Sequence, residues 1–177
     1  MFIQKLTQSS NKRITGSAIQ PSPSGQMAMD GLDAKLLGLC MSEGRASFRQ
    51  MAVTLGVSTT TVAARMTRLE SEGVIAGYSA RVNAEKMGYG ITVVTEILVS
   101  KGKLLEMERE IAKLPGVCAV YDVTGEIDGV VIAKFKDREQ LSAFTKGLLG
   151  MPFVERANTH VVLTTVREDF RLPAVLE

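Results

Sequence analysis

The sequence predicts an α+β protein in which three short helices and a small two-stranded wing precede a β-α-β-β-α-β unit. Three observations carry this. Residues 44–69 hold Arg45, Arg49, Arg65 and Arg68 and no acidic residue, inside two amphipathic segments that meet at Gly56. After Gly90 the texture changes to Val-, Ile- and Thr-rich runs alternating with helical spacing. The second half also echoes itself, a helix leading through Leu114-Pro115-Gly116-Val117 or Met151-Pro152-Phe153-Val154 into a strand.

Asp30 caps a first helix whose apolar stripe is Leu32, Leu36, Leu39 and Cys40, ending near Gly44. In the second helix, Ser47 to Leu55, the spacing of Phe48, Met51, Ala52 and Leu55 buries one face. Ser47 and Gln50 form a capping box there. Gly56 follows at the position where a helix ends in the left-handed conformation. Ser58 caps the third helix, with Val62, Met66 and Leu69 as its buried stripe. Two helices thus cross at small Ala52, as a helix-turn-helix. Val74 to Val82 reads as the wing, turning around Gly77, with Arg81 at a phosphate or on a plain edge strand.

Thr61, Ala64, Arg65 and Arg68 are expected on the outward face of the third helix, a composition suited to the major groove. Arginine forks onto guanine, and threonine or alanine packs on a thymine methyl. Ser58, Thr59 and Thr60 lie at the helix N-terminus, where free N–H groups and the dipole favour a phosphate. Arg45, Ser47 and Arg49 belong to the same acid-free surface. These residues position the protein, and Arg65 and Arg68 read bases. The competing reading is a solvated helix face, which normally mixes Glu with Lys.

In the second half, strands are expected over Ile91–Val99, Val117–Val123, Val130–Phe135 and Val154–Val166. One helix spans Leu104–Leu114, and the other carries Leu141, Phe144, Leu148 and Leu149. This is a ferredoxin-like split β-α-β unit with both helices on one sheet face. Tyr121, Val123, Val131 and Ala133 alternate along central strands, and no third helix remains for the opposite face. A second copy of the sheet would cover it, which predicts a homodimer.

The chain has 177 residues and a formal net charge of +2. That charge is uneven, +3 over residues 1–29, +1 over 30–83 and −2 over 84–177, so the first half is the one expected to meet nucleic acid. No apolar run approaches a membrane span. Cys40 and Cys118 read as buried side chains in a reducing cytoplasm rather than a disulfide, and isolated His160 argues against a metal site. Residues 1–29, basic and Ser/Pro-containing, read as a disordered tail. A basic arm on DNA, an over-long start, an expression scar and a targeting leader all fit that composition, and an inert or weakly DNA-associated tail is favoured. The predicted organisation is therefore tail 1–29, winged helix-turn-helix 30–83, sheet domain 84–170 and tail 171–177.

From Leu32-Asp33, STTTVAARMTRL over 58–69, EGVIAGY over 72–78, Leu114 to Val117, VTGEID over 123–128 and Thr159 to Val166, residues 30 to about 168 resemble the Lrp/AsnC family of leucine-responsive and asparagine regulator proteins. The resemblance implies transcriptional regulators that dimerise, often form octamers, and bind an amino acid or similar effector between subunits near a G-x-x-D turn. Gly125 and Asp128 match that turn. Gly125 would let backbone N–H groups approach a ligand carboxylate while Asp128 accepts from an α-ammonium, with Tyr121, Thr124, Glu126 and Thr159 as neighbours. A plain hairpin turn with Asp128 bonded to its own backbone is the alternative. The two tails depart from the family pattern. No cofactor is implied beyond that effector.

Two rival functions use the same scaffold. Siroheme decarboxylases resemble the family in fold, but such chemistry wants converging histidines and arginines, and the sheet domain offers one histidine. A sensor or interaction protein without DNA binding is the other, and the intact arginine set argues against it.

Overall fold

The computed structural model describes residues 28–100 and 102–172, so the reading of residues 1–27 as a tail lies outside the described residues. Three helices form the first unit, α1 (Gly31–Ser42), α2 (Phe48–Leu55) and α3 (Thr59–Ser71). Each starts where a side chain satisfies orphan amides. Asp30 accepts from the Leu32 and Asp33 amides, while Asp33 accepts from the Asp30 amide at 3.1 Å. Ser47 and Gln50 close the same reciprocal box on α2, and Ser58 accepts from the Thr61 amide. Gly56 ends α2 at φ 66°, and Leu36, Met51, Ala52, Val62, Met66 and Leu69 make the core. Phe48 departs from the expected stripe and is 41% exposed, because its position as the first residue of α2 leaves it at the rim.

The expected wing does not form strands. Gly73, at φ 73°, turns the chain out of α3, and the Ile75 amide donates to the Leu69 carbonyl at 3.0 Å, tucking Ile75 against the helical core. Residues 76–83 then run exposed and irregular. An isolated two-stranded ribbon buries too little to hold itself. Tyr78 ties back instead, its hydroxyl donating to Glu70 Oε1 at 2.7 Å.

A one-turn 3-10 helix (Glu85–Met87) leads into the second unit, β1 (Ile91–Val99), α4 (Leu104–Ile111), β2 (Val117–Asp122), β3 (Gly129–Phe135), α5 (Arg138–Leu149) and β4 (Val154–Val161). The sheet order is β2-β3-β1-β4, every neighbour antiparallel. Val93, Ile97, Val131, Ala133 and Phe135 face α4 and α5, burying against Met107, Ile111, Phe144 and Leu148. Thr95, fully buried in this layer, shares a hydroxyl hydrogen bond of 3.0 Å with Thr159. The strand alternation therefore puts Val94, Leu98, Val130, Ile132 and Tyr121 on the opposite face, together with Glu96, Lys134, Asn158 and His160. Among the described residues, that face carries no helix.

The last strand is shorter than expected. It stops at Val161, after which only the Val162 amide bonds back to Thr92, and Glu168 reaches Lys134 on the helix-free face at 3.0 Å. Leu163 and Val166, beyond the last paired residue of β4, lie 96% and 95% exposed. No helix of the described residues is long and apolar enough to cross a membrane.

At Gly129 a Cβ would meet Ile97 Cγ1 at 2.9 Å and the Tyr121 carbonyl at 3.2 Å, between two strands that cannot part without losing their ladder. Gly129→Ala should lower stability by about 1–3 kcal/mol in urea denaturation. Gly31→Ala, in open space at the start of α1, should leave the midpoint unchanged or slightly raised.

Candidate nucleic-acid interface and effector loop

On α3, at 100° per residue, Thr60, Ala64, Thr67 and Ser71 lie directly opposite the buried Val62, Met66 and Leu69. Thr60, Ala64, Thr67 and Ser71 are all exposed. Thr61, Arg65 and Arg68 sit on the flank and are half-buried, which corrects the expectation that both arginines point outward. Arg65 Nη1 donates to Asp30 Oδ2 at 2.6 Å and to Asp33 Oδ1 at 3.1 Å, while Arg68 Nη2 donates to Asp33 Oδ2. Asp33 is 0% exposed, a carboxylate that burial would forbid without such partners. The stretch 44–69 does lack acids, but α1 supplies two from more than thirty residues away.

Asp30 and Arg65 show the pairing in their titration. The Asp30 carboxyl is held below its ordinary value, first by the Asp33 amide and then by the Arg65 guanidinium. Arg65 is pushed up, by Asp30 before Asp33. Arg68 Nε is buried without a hydrogen-bond partner among the described residues, so its guanidinium is engaged at one edge only.

Arg45 and Arg49 behave differently. Both are exposed, and neither forms an ion pair among the described residues. Ser47 and Ser58 keep their capping bonds, and Ser58 Oγ also meets Thr61 Oγ1 at 2.8 Å. Thr59 and Thr60 are exposed beside the free amides of the α3 N-terminus. Arg81 lies on the irregular segment after Tyr78, exposed, where its charge helps hold Asp169 well below the usual carboxylate range after the dominant Arg171 contacts.

The G-x-x-D turn is the loop from β2 to β3. It is closed by the Val123 amide donating to the Asp128 carbonyl at 3.0 Å, and the Asp128 amide donates to Ile97. Asp128 Oδ2 accepts the Val99 amide at 2.7 Å, beside the irregularity in β1–β4 pairing at Leu98/Val99. The carboxylate is thus bonded to a neighbouring strand, not to its own turn. Thr124, Gly125 and Glu126 are exposed, and Gly125 at φ 130° has nothing within 4 Å of where a Cβ would sit. Glu108 on α4 is pushed up, first by burial and then by Asp122 and Asp128, so three carboxylates share this end of the sheet.

Tyr121 pairs with Val130 on the helix-free face, half-exposed. Thr159 does not join it. It lies on β4, three strands from β2 in the sheet order, on the helix side and bonded to Thr95. Within one protomer the expected effector residues therefore divide into the group Tyr121, Thr124, Gly125, Glu126 and Asp128, and a separate Thr159. Sequence reasoning missed Asp33 as a partner of α3. An acid three residues after an N-cap reads as the second half of a capping box, so nothing local marks Asp33 as a partner of α3.

The chain matches the family models described as AsnC-type helix-turn-helix domain over residues 29–70 and Lrp/AsnC ligand binding domain over residues 92–172. It is 47% identical over 144 residues to an uncharacterized HTH-type transcriptional regulator of Pyrococcus abyssi, covering 81% of this chain and 98% of that one. It is 30% identical over 146 residues to the HTH-type transcriptional regulator Ptr1 of Methanocaldococcus jannaschii, covering 82% and 99%. Among solved structures it resembles a Neisseria meningitidis transcriptional regulator in complex with L-Met, with TM-score 0.76, 25% identity and coverage of 82% and 97%. Escherichia coli AsnC shares the fold at TM-score 0.74 and 20% identity, covering 81% and 97%.

Removing the buried carboxylate strands two guanidinium groups, so Asp33→Ala should destabilise the helical unit by about 3 kcal/mol in chemical denaturation, the low end for a buried pair because both arginines keep part of their surface in water. Because the Asp30 value is depressed on folding, its contribution is present above the unfolded value of 3.8 and is lost as pH falls through the folded value. Thermal melting of wild type and Asp30→Asn should therefore differ at neutral pH and converge as the pH drops well below 3.8.

Proposed function

The chain belongs to the Lrp/AsnC family of DNA-binding transcriptional regulators, and from that premise we propose a sequence-specific regulator whose response to an amino acid is set in the sheet domain. The observation that carries the DNA half is the exposed α3 stripe flanked by Ser58, Thr59 and Arg45 and Arg49, with Asp33 buried and Asp30 paired to Arg65. Arg45, Ser47, Arg49, Ser58, Thr59 and Arg81 contact phosphates and fix the register on the duplex. Two such units in a homodimer reach major grooves roughly 34 Å apart or a multiple of it.

The helix-free sheet face supports the dimer, since Val94, Leu98, Val130, Ile132 and Tyr121 give it an apolar centre that a second copy would cover. Such dimers then assemble further, as an octamer. The effector reading rests on the loop at 123–128. Its open backbone at Gly125 suits a carboxylate, and the carboxylates of Glu108, Asp122 and Asp128 favour an α-ammonium. Thr159 joins the site only if the partner subunit brings its own strand to the loop. The Neisseria relative, captured with L-Met, supports an amino acid as the ligand class. Effector binding changes how dimers are arranged, and so how they hold DNA. The protein acts in the cytoplasm and is not an enzyme.

The test uses the full chain. Anisotropy titration against its own promoter region should show binding at low salt, and Arg45→Ala with Arg49→Ala should weaken all duplexes alike and flatten the log K against log salt slope by about 2. Thermal shift with each amino acid should reveal a ligand that raises the melting temperature, worth about 2.7 kcal/mol at a hundredfold excess over Kd. A wild-type chain that ignores duplexes in dilute buffer would remove the DNA reading, and one that no amino acid stabilises would remove the effector reading.

A further inference from the structure

The geometry assigns base reading to the Thr60, Ala64 and Thr67 stripe and makes Asp33 a positioning residue that holds Arg65 and Arg68 off the groove, an inference that rests on the DNA-binding reading above. Three observations converge on it. The stripe lies opposite the core, exposed, and carries only small hydroxyl and methyl groups, so the helix axis can approach base edges closely. Both arginines leave that face to meet a carboxylate with no exposed surface. Their two charges are matched by Asp30 and Asp33, so the arginines left free for phosphate on the helical unit are Arg45, in the turn before α2, and Arg49 of α2.

Asp33 does two jobs with two oxygens. Oδ2 accepts from Arg68 and from the Asp30 amide, while Oδ1 accepts from Arg65. The N-terminus of α1 is thereby latched to α3, which sets the roll of α3 about its own axis. That roll decides which residues face the groove. A freed Arg65 or Arg68 would instead reach for the nearest phosphate, adding affinity without sequence information.

The experiment pairs sequencing of the duplexes that the full-length protein selects from a random-sequence library with a salt titration on one mixed-sequence duplex. Thr60→Val and Thr67→Val should change the enriched bases and leave the salt slope as in wild type. Arg65→Lys and Arg68→Lys, which keep the charge for Asp33 but lose the guanine fork, should leave the enriched bases unchanged. Asp33→Asn should blur the selected motif, strengthen mixed-sequence binding several-fold at low salt and steepen the slope by about 1, as one released cation reaches phosphate. A merely structural role for Asp33 would weaken all binding and steepen nothing. Should Asp33→Asn fail to fold, Asp30→Asn keeps the helix cap, releases one contact of Arg65 and should still steepen the slope. An unchanged slope in the aspartate variants, or lysine variants that lose a preferred guanine while the threonine variants lose nothing, would overturn the assignment. A wild type that enriches no sequence and ignores the mixed duplex would fell the DNA-binding reading, and this one with it.

Discussion

A carboxylate taken fully out of water must find cationic partners, and Asp33 finds two on a helix that lies more than thirty residues further along the chain. Much of the helical unit follows from that requirement. Asp33 also completes the reciprocal cap with Asp30, so the same side chain starts α1 and latches it to α3. The apolar core of Leu36, Met51, Ala52, Val62, Met66 and Leu69 holds the three helices together, but apolar contacts are non-directional and leave the roll of a helix loosely specified. The ion pairs are directional, and they fix which face of α3 remains outward.

The sheet unit is governed by a different constraint. Period-two alternation gives each strand two faces, and α4 and α5 together cover only one of them. The uncovered face combines an apolar centre with Glu96, Lys134, Asn158 and His160, and the loop carrying Gly125 and Asp128 opens at one end of the sheet. Asp128 links the two functions of that end. One of its oxygens satisfies the Val99 amide where strand pairing becomes irregular, and its charge acts on Glu108 beside it. A ligand that altered Asp128 would therefore also pull on the end of β1, the central strand that pairs with both β3 and β4.

Legibility in the sequence followed the range of the interaction concerned. The caps at Asp30, Ser47 and Ser58, the left-handed Gly56, the span Ile91–Val99 and the order of the sheet elements all depend on residues within a few positions of one another, and these agree with the structure. The wing and the end of the last strand did not follow, because β-forming composition at Val74–Val82 and Val162–Val166 predicts a strand only where a partner edge is present. Spacing alone predicts Phe48 buried, although a residue at the first turn of a helix meets no preceding turn, and Phe48 is exposed.

The amino-acid order alone determined where helices begin and end, which strand positions are apolar, and that the two halves are different kinds of unit, since capping and hydrophobic period are written in neighbouring residues. Only the tertiary structure decided that Arg65 and Arg68 turn toward α1 and that Thr159 lies apart from the loop at Gly125. Those outcomes depend on which groups folding brings within hydrogen-bond distance across tens of residues. Local pattern carries no measure of that distance.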